Sequence, residues 1–448
     1  MIGLLKKKSN SDKKLAALID GEHYPQINLD AIKLLKKNFK GSFCGIIFLG
    51  GTEKLISEDL EQFYGHKVIK IGDLDRDFLK ALDVLKPDLV YDLSDEPVVN
   101  YMARMKIASY SFARKCSYMG PDFYFEYEPK TLKFKNRSLL VIGTAKRIGK
   151  TAVSSYLAKA FSLKRKTCIL AMGRGGPLVP RVIKGSEIMI TPEYLLTISR
   201  NGMHASSDYI EDALFSRVDT VGARRCGGGF GGKFFLSNIA AGVKLCESLN
   251  PEITLVEGSG ASVPPVLTDR QVCVIGANQG WESIVGYLGL YRILTSDMIF
   301  LTMCEEPFAD SQKIDFLVQE IRKAKPSVKI IKSVFRPEPL YSIKNKKVFL
   351  VLTASSLIEE KISRYLEKEY GCKVVKASFN LANRQKLKVE LEGFDDYDVL
   401  LTELKAASVD MVTEHAYRIG KEINYMNNIP VIIEGAVELK DFIKDLVN

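Results

Sequence analysis

Residues 143–151 read Gly-Thr-Ala-Lys-Arg-Ile-Gly-Lys-Thr, and their types suit the capture of a polyphosphate. Gly143 and Gly149 allow backbone N–H groups to turn inward around phosphate oxygens, and a helix begun there presents its positive end to them. Lys150 offers a point charge to the terminal phosphates, and the Thr151 hydroxyl can ligate Mg²⁺. The apolar run SLLVIG before the loop predicts a buried strand. Val153, Tyr156, Leu157, Ala160 and Phe161 after it keep helical spacing. A strand, a glycine loop and a helix in that order predict binding of ATP with Mg²⁺, through Gly143, Thr144, Arg147, Gly149, Lys150, Thr151 and Ala152. Five residues separate Gly143 from Gly149 where the strict motif has four.

Further residues are placed to act on what the loop holds. ITLVEGSG is an apolar run ending in Glu257, a strand-end carboxylate that could hold Mg²⁺ together with Thr151. TCILAMGRGGP ends in Arg174 between glycines, suited to bidentate capture of an anion. In SRNGMHASSDYIEDAL, His204 reads as a phosphate ligand, an acid/base or a structural residue. Asp208 and Asp212, one helical turn apart, are alternative metal ligands. The segment VGARRCGGGFGGK places Arg224, Arg225 and Cys226 before five glycines within residues 227–232. It reads as a surface loop or as a second phosphate cradle, with Gly227 and Gly228 giving backbone access. Cys226 has no base beside it in sequence and is assigned no catalysis.

These residues need a framework, and the chain is long enough for about three domains at 448 residues. LAALIDG, CGIIFLGG, KVIKIG and DLVYDLSD read as strands with helices such as DFLKALDVLK between them, which predicts an N-terminal α/β domain over 1–133. Its strand-end groups Asp20, Glu22, Gly50, Gly51, Thr52, Asp92 and Asp95 read as turn and capping residues before they read as a pocket. A P-loop domain with a central parallel sheet and helices on both faces follows over 134–344. RPEPLYSIKNKK reads as a linker to a small C-terminal α/β domain over 345–448. The expected fold class is therefore three-domain α/β.

Composition narrows the partners. The net charge is +10, without an RNP, zinc-finger or helix-turn-helix signature, so a small anionic substrate is expected and nucleic acid is not. No apolar run approaches the roughly 20 residues of a membrane span, and the N-terminus lacks a signal-peptide core, so a cytoplasmic protein is expected. The eight cysteines show no paired spacing.

The loop pattern G-T-x-x-x-x-G-K-T and the EGSG strand end resemble dethiobiotin synthetase and its relatives, P-loop enzymes that phosphorylate a carboxylate. Across the whole chain, FLGGTEKL, YDLSDEPVV, VIGTAKRIGKTAVSSYLA, MGRGGP, SRNGMHASSDYIEDA, VGARRCGGGFGG, VEGSGASVPPV, GYLGLYRILTSDM and TELKAASVD resemble the archaeal cyclic 2,3-diphosphoglycerate synthetase family. That resemblance implies a ligase that uses ATP to close an intramolecular phosphoanhydride in 2,3-bisphosphoglycerate, giving an osmolyte and thermoprotectant. Lys150, Lys146, Arg174, Arg224 and Arg225 would then be catalytic. Arg174, His204, Arg224, Arg225, Gly227 and Gly228 would hold the substrate, and Thr151, Glu257 and Asp208 the metal. The alternatives are a 2-phosphoglycerate kinase or another P-loop enzyme acting on a small acid. A homodimer is expected.

Overall fold

The computed structural model describes residues 2–448 apart from 9, 52, 55–58, 188, 355, 406 and 407. Thr52 among the strand-end groups, and Ala406 and Ala407 of TELKAASVD, thus lie outside the described residues. The chain forms two compact units. One comprises Met1–Lys130, Gln279–Thr295 and Leu317–Ser327, and the other Thr131–Asn278, Ser296–Phe316 and Val328–Asn448.

The first unit holds β1 (Lys14–Ile19), β2 (Ser42–Phe48), β3 (Val68–Lys70), β4 (Leu89–Asp92), β5 (Ser117–Met119) and β6 (Tyr124–Phe125), ordered β3-β2-β1-β4-β5-β6. The first five are parallel and β6 returns antiparallel to β5. Apolar residues fill both faces of β1, as a parallel strand covered by helices requires. Asp20 and Asp92 follow from β1 and β4, where the strand order reverses. Both are buried at 1% exposure. Asp20 accepts from the backbone N–H groups of Glu22, His23 and Asp95, and Asp92 from the N–H of Ser94 and from Arg104 Nε. Each carboxylate is already engaged in holding a turn.

The second unit is built on one large sheet. Its strands are β8 (Arg137–Gly143), β9 (Thr167–Gly173), β10 (Arg181–Ile183), β11 (Asp219–Cys226), β12 (Leu236–Ser237), β13 (Ile253–Gly258), β15 (Arg270–Gly276), β16 (Met298–Thr302), β17 (Lys329–Pro339), β18 (Lys347–Val351), β19 (Lys373–Ser378), β20 (Val399–Glu403) and β21 (Glu422–Glu434). A separate pair joins β7 (Leu132–Lys133) to β14 (Val266–Leu267). The main order is β10-β11-β9-β13-β8-β15-β16-β17-β21-β20-β18-β19, with β12 on β11. From β11 to β17 every pairing is parallel. The sheet then crosses the antiparallel β17–β21 junction into the parallel C-terminal strands. The α/β class, with helices packed on the sheet, holds throughout.

One segment departs from its sequence reading. Arg336–Pro339, read as the start of a linker, completes β17. Prolines weaken a strand by removing ladder donors, yet β17 pairs with β16 only as far as Lys332. Pro337 and Pro339 fall beyond that point, where the neighbour that would use their N–H groups has ended. Among the described residues no helix is long and apolar enough to cross a membrane.

Candidate functional site: a phosphate loop ringed by cations and acids

The β8 strand is buried along six of its seven residues and ends at Gly143. The helix Lys150–Ser162 starts directly after the loop. Gly149, at the helix N-cap, takes φ +87, and Arg147 takes φ +57. The loop is tied down from the sheet: Thr144 N donates to Val274 O at 3.2 Å, and Thr302 Oγ1 donates to Ile148 O at 2.7 Å. Ile148 is buried at the centre of the loop and packs over Gly276. This large apolar residue in a mostly polar loop therefore acts as its anchor.

Lys150 is buried, and its Nζ donates to Ala145 O at 2.6 Å. Burial pushes its pKa down to about 8, with Glu257 and Asp208 pulling the other way. Thr151 Oγ1 donates to Glu257 Oε1 at 2.9 Å. Glu257 is 2% exposed at the end of β13, and burial lifts it to about 7. Asp212 lies against it, raised first by burial and then by the Glu257 charge, and Ser155 Oγ donates to Asp212 Oδ1 at 2.9 Å. Asp212 Oδ2 and Glu257 Oε2 are buried without another hydrogen-bond partner. A shared proton or a cation satisfies such a pair. Two like charges in that setting would not be stable.

The cations converge through strand register. Gly173 of β9 pairs with Arg224 of β11, so Arg174 and Arg225 emerge from neighbouring strand ends. Arg225 is buried at 8% exposure. Its Nη1 donates to Gly227 O at 2.6 Å and its Nη2 to Ser259 O at 2.7 Å, while its Nε is unpartnered. It thereby ties the glycine loop to the end of β13. A β-carbon at Gly260 would lie 3.1 Å from Arg225 Nη2 and 3.6 Å from Lys146 Cγ, which places Lys146 alongside. Lys146 is lowered chiefly by Arg174, then by burial, Arg225 and Arg147. Like charges gathered this closely await an anion.

Asp208 and His204 reach the same strand end from the other side. A β-carbon at Gly173 would meet Asp208 Oδ2 at 2.9 Å, and one at Gly175 would meet His204 Cβ at 3.4 Å. Arg224 is held by its backbone: its N–H donates to Asn238 Oδ1 at 2.7 Å, and Ser237 Oγ donates to its carbonyl at 2.8 Å. Gly227, with φ +85, and Gly228 open the exposed loop that follows, and Cys226 is exposed beside them.

Three contacts were not legible in sequence. Asp212 is the direct partner of Glu257 rather than an alternative to it. The Phe335 ring lies on Gly149, where a β-carbon would come 2.0 Å from Cζ. Lys405, from the C-terminal strands, reaches Glu211 with its Nζ 3.2 Å from both carboxylate oxygens. Glu403 beside it accepts from Thr353 N–H at 3.0 Å and from Asn428 Nδ2 at 2.9 Å. For Lys405 only TELKAASVD gave a hint, and its partner Glu211 lies 194 residues away.

A parallel sheet, a strand–glycine loop–helix unit and a strand-end carboxylate on the Thr hydroxyl define a P-loop nucleotide-binding protein. Family models divide the chain in three. Residues 14–126 match the N-terminal domain of cyclic 2,3-diphosphoglycerate synthetase, 138–334 its P-loop domain and 339–429 its C-terminal domain. The chain belongs to the cyclic 2,3-diphosphoglycerate synthetase family. The protein of that name from Methanothermus fervidus is 42% identical over 94% of each chain. That from Rubrobacter xylanophilus is 43% identical over 94% of this chain and 95% of its own. The one from Methanothermobacter thermautotrophicus is 41% identical over 97% and 96%.

Proposed function

We propose that the chain is an ATP-dependent ligase that converts 2,3-bisphosphoglycerate to cyclic 2,3-diphosphoglycerate, releasing ADP and inorganic phosphate. The observation that supports this most is the convergence of Lys146, Arg174 and Arg225 beside the phosphate loop. One nucleotide needs fewer cations than that. A second, highly anionic ligand accounts for the surplus.

The loop residues Gly143, Thr144, Arg147, Gly149, Lys150, Thr151 and Ala152 bind the nucleotide phosphates. Thr151 and Glu257 suit Mg²⁺, because that ion takes one or two protein oxygens and completes its shell with phosphate and water. Among the described residues no set of three His, Cys, Asp or Glu side chains makes a self-sufficient metal cage, consistent with a metal that arrives with nucleotide. Asp208 lies close enough to influence both Lys150 and Glu257. When bound, Mg²⁺ would neutralise charge on the β- and γ-phosphates.

In the first step an oxygen of one substrate phosphate attacks the γ-phosphorus, the bond to the β,γ-bridging oxygen breaks, and ADP leaves. In the second step an oxygen of the other substrate phosphate attacks the first substrate phosphorus and expels inorganic phosphate, closing the ring. Both steps bring anions together. Lys150 and Lys146 sit at the transferring group, and Arg174, Arg224 and Arg225 hold the substrate phosphates, with Gly227 and Gly228 offering backbone N–H groups and His204 at the rim. Positioning and charge neutralisation are most of what such a transfer requires.

The test uses γ-labelled ATP with phosphorus NMR. Label in free phosphate, together with ADP and a cyclic phosphoanhydride, is the expected result. Label retained on the organic product would instead identify a kinase, and AMP would overturn the scheme.

A further inference from the structure

Within the second unit, a cavity of about 560 Å³ lies among the helices Pro192–Arg200, Arg384–Glu392 and Glu414–Arg418 and the turn Ser408–Thr413. None of its lining residues belongs to the phosphate site. Ser408–Thr413 winds as a π-helix, a wide geometry that recurs at functional sites. Leu391, Met411 and Tyr417 give the cavity apolar walls, and Arg200, Lys388 and Arg418 bring cations to it. The volume falls within the roughly 300–1,000 Å³ typical of small-molecule sites.

His415 sets the character of this cavity. It is buried at 7% exposure, and Arg418 Nη2 lies 3.0 Å from its Nδ1. A guanidinium only donates, so Nδ1 is the acceptor. Burial first, and then the Arg418 charge, lower the pKa of the ring, with Glu392 pulling the other way. The ring is therefore neutral at neutral pH and carries its one proton on Nε2. That Nε2 is buried and has no hydrogen-bond partner among the described residues. A donor so placed is satisfied by an acceptor that enters the cavity the ring lines.

The charges around the ring favour an anion. Asp410 is bound by Arg384, whose Nη1 lies 3.0 Å from Oδ1 and whose Nη2 meets Oδ2. Glu414 Oε1 lies 3.5 Å from Arg200 Nη2. Two of the three carboxylates in the lining are thus engaged, and Lys388 and Arg418 are left with Glu392. We infer that this cavity is a second anion site, taking a small organic phosphate that also carries a hydroxyl. The phosphate oxygens accept from His415 Nε2, Lys388 and Arg418, the hydroxyl donates to Glu392, and Leu391 and Met411 flank the carbon chain. Such a site stands whether or not the loop takes ATP.

Imidazole NMR tests this directly. The chain has four histidines, of which His204 reports on the phosphate site and His415 on the cavity. Their signals are assigned by their loss in His204→Gln and His415→Gln. At neutral pH the wild-type His415 ring should show a protonated Nε2 and a bare Nδ1. A charged ring, or a proton on Nδ1, overturns the site. Titrated with glycerol 3-phosphate, the His415 Nε2 proton should shift saturably, with a midpoint of about 1 mM or lower. Lys388→Gln, an exposed position, should raise that midpoint about tenfold or more, as loss of a charged hydrogen bond does. A His415 signal that ignores the titrant overturns the site, and so does a response that survives Lys388→Gln unchanged. If Lys388→Gln moves all four signals before titrant is added, it has damaged the fold, and the wild-type titration decides. His415 must then respond at a lower concentration than His204, and equal midpoints overturn the site.

Discussion

Thr151 Oγ1 and Glu257 Oε1 meet at 2.9 Å although 106 positions separate them in sequence. The contact exists because β8 and β13 are parallel neighbours, with Glu257 paired to Val141. One strand ends in the phosphate loop, and the other delivers a carboxylate to the first turn of the helix that follows it. Buried beside Asp212, that carboxylate has a raised pKa, which gives the site a measurable pH signature.

The folded pKa of Glu257, near 7, lies above the value of 4.5 it has when exposed. The folded state therefore binds more protons than the unfolded state between those values, and stability falls as pH rises through that window. Glu257→Gln should flatten this fall. The variant should melt at or above wild type at pH 8, with the two closer near pH 4.5, in thermal denaturation without nucleotide. The same variant should bind Mg·ADP more weakly than wild type. A gap between Glu257→Gln and wild type that does not widen as pH rises from 4.5 to 7 would contradict the shift.

Lys150 shows the opposite displacement, from 10.5 down to about 8. Folded protein holds fewer protons than unfolded between pH 8 and 10.5. The penalty of burying this cation is thus full below pH 8 and is relieved as pH rises. Lys150→Met should leave the melting temperature unchanged or higher at pH 7, with wild type catching up towards pH 10. Turnover should nevertheless drop by about a hundred- to thousandfold, the usual loss when a charge-stabilising group is removed.

Gly149 faces two constraints at once, a left-handed backbone and the Phe335 ring. Gly149→Ala should destabilise the protein by at least about 1–2 kcal/mol from the backbone alone, and weaken ATP binding. Adding Phe335→Ala should relieve the clash but not the backbone strain, so the double variant should recover only part of the loss in a denaturant melt.

Arg225 spans two loops through Gly227 and Ser259, and lysine cannot reproduce that fork. Arg225→Lys should therefore behave almost like Arg225→Ala, lowering kcat/KM for the bisphosphate substrate by about a hundredfold or more, as removal of a preorganised charge does. Arg174 is exposed, and Arg174→Ala should raise KM with little change in melting temperature. Steady-state kinetics and thermal melts on the same preparations separate the two outcomes.

Lys405 carries a balance of opposing influences. Burial pushes its pKa down, but the Glu211 and Glu403 charges outweigh this and raise it. Glu211 is raised by burial and drawn back down by Lys405. With 42% of the Lys405 side chain exposed, screening keeps the pair modest. Lys405→Met should cost about 1 kcal/mol in a denaturant melt, and Lys405→Met with Glu211→Gln should cost less than the two single changes added together.

Much of the site was local and therefore legible in the sequence. The strand, glycine loop and helix around Lys150 are contiguous, and each residue type has a backbone or charge reason to be there. The apolar runs of β1, β8, β9 and β13 announced parallel strands because both faces of such strands are covered. The glycine–arginine segments announced anion binding. What the sequence could not carry was adjacency between strands distant along the chain. Strand register sets Arg174 beside Arg225, and the packing of the helix Asp208–Ser216 on the sheet brings Asp212 to Glu257. Pro337 and Pro339 suggested a break, because sequence does not show which side of a strand has lost its neighbour. The presence of Lys405 at Glu211, and of Phe335 on the loop, follows from the sheet continuing into the C-terminal strands. Local propensity determined the parts, while long-range strand pairing, with no signature in any single segment, decided which of them face the same phosphates.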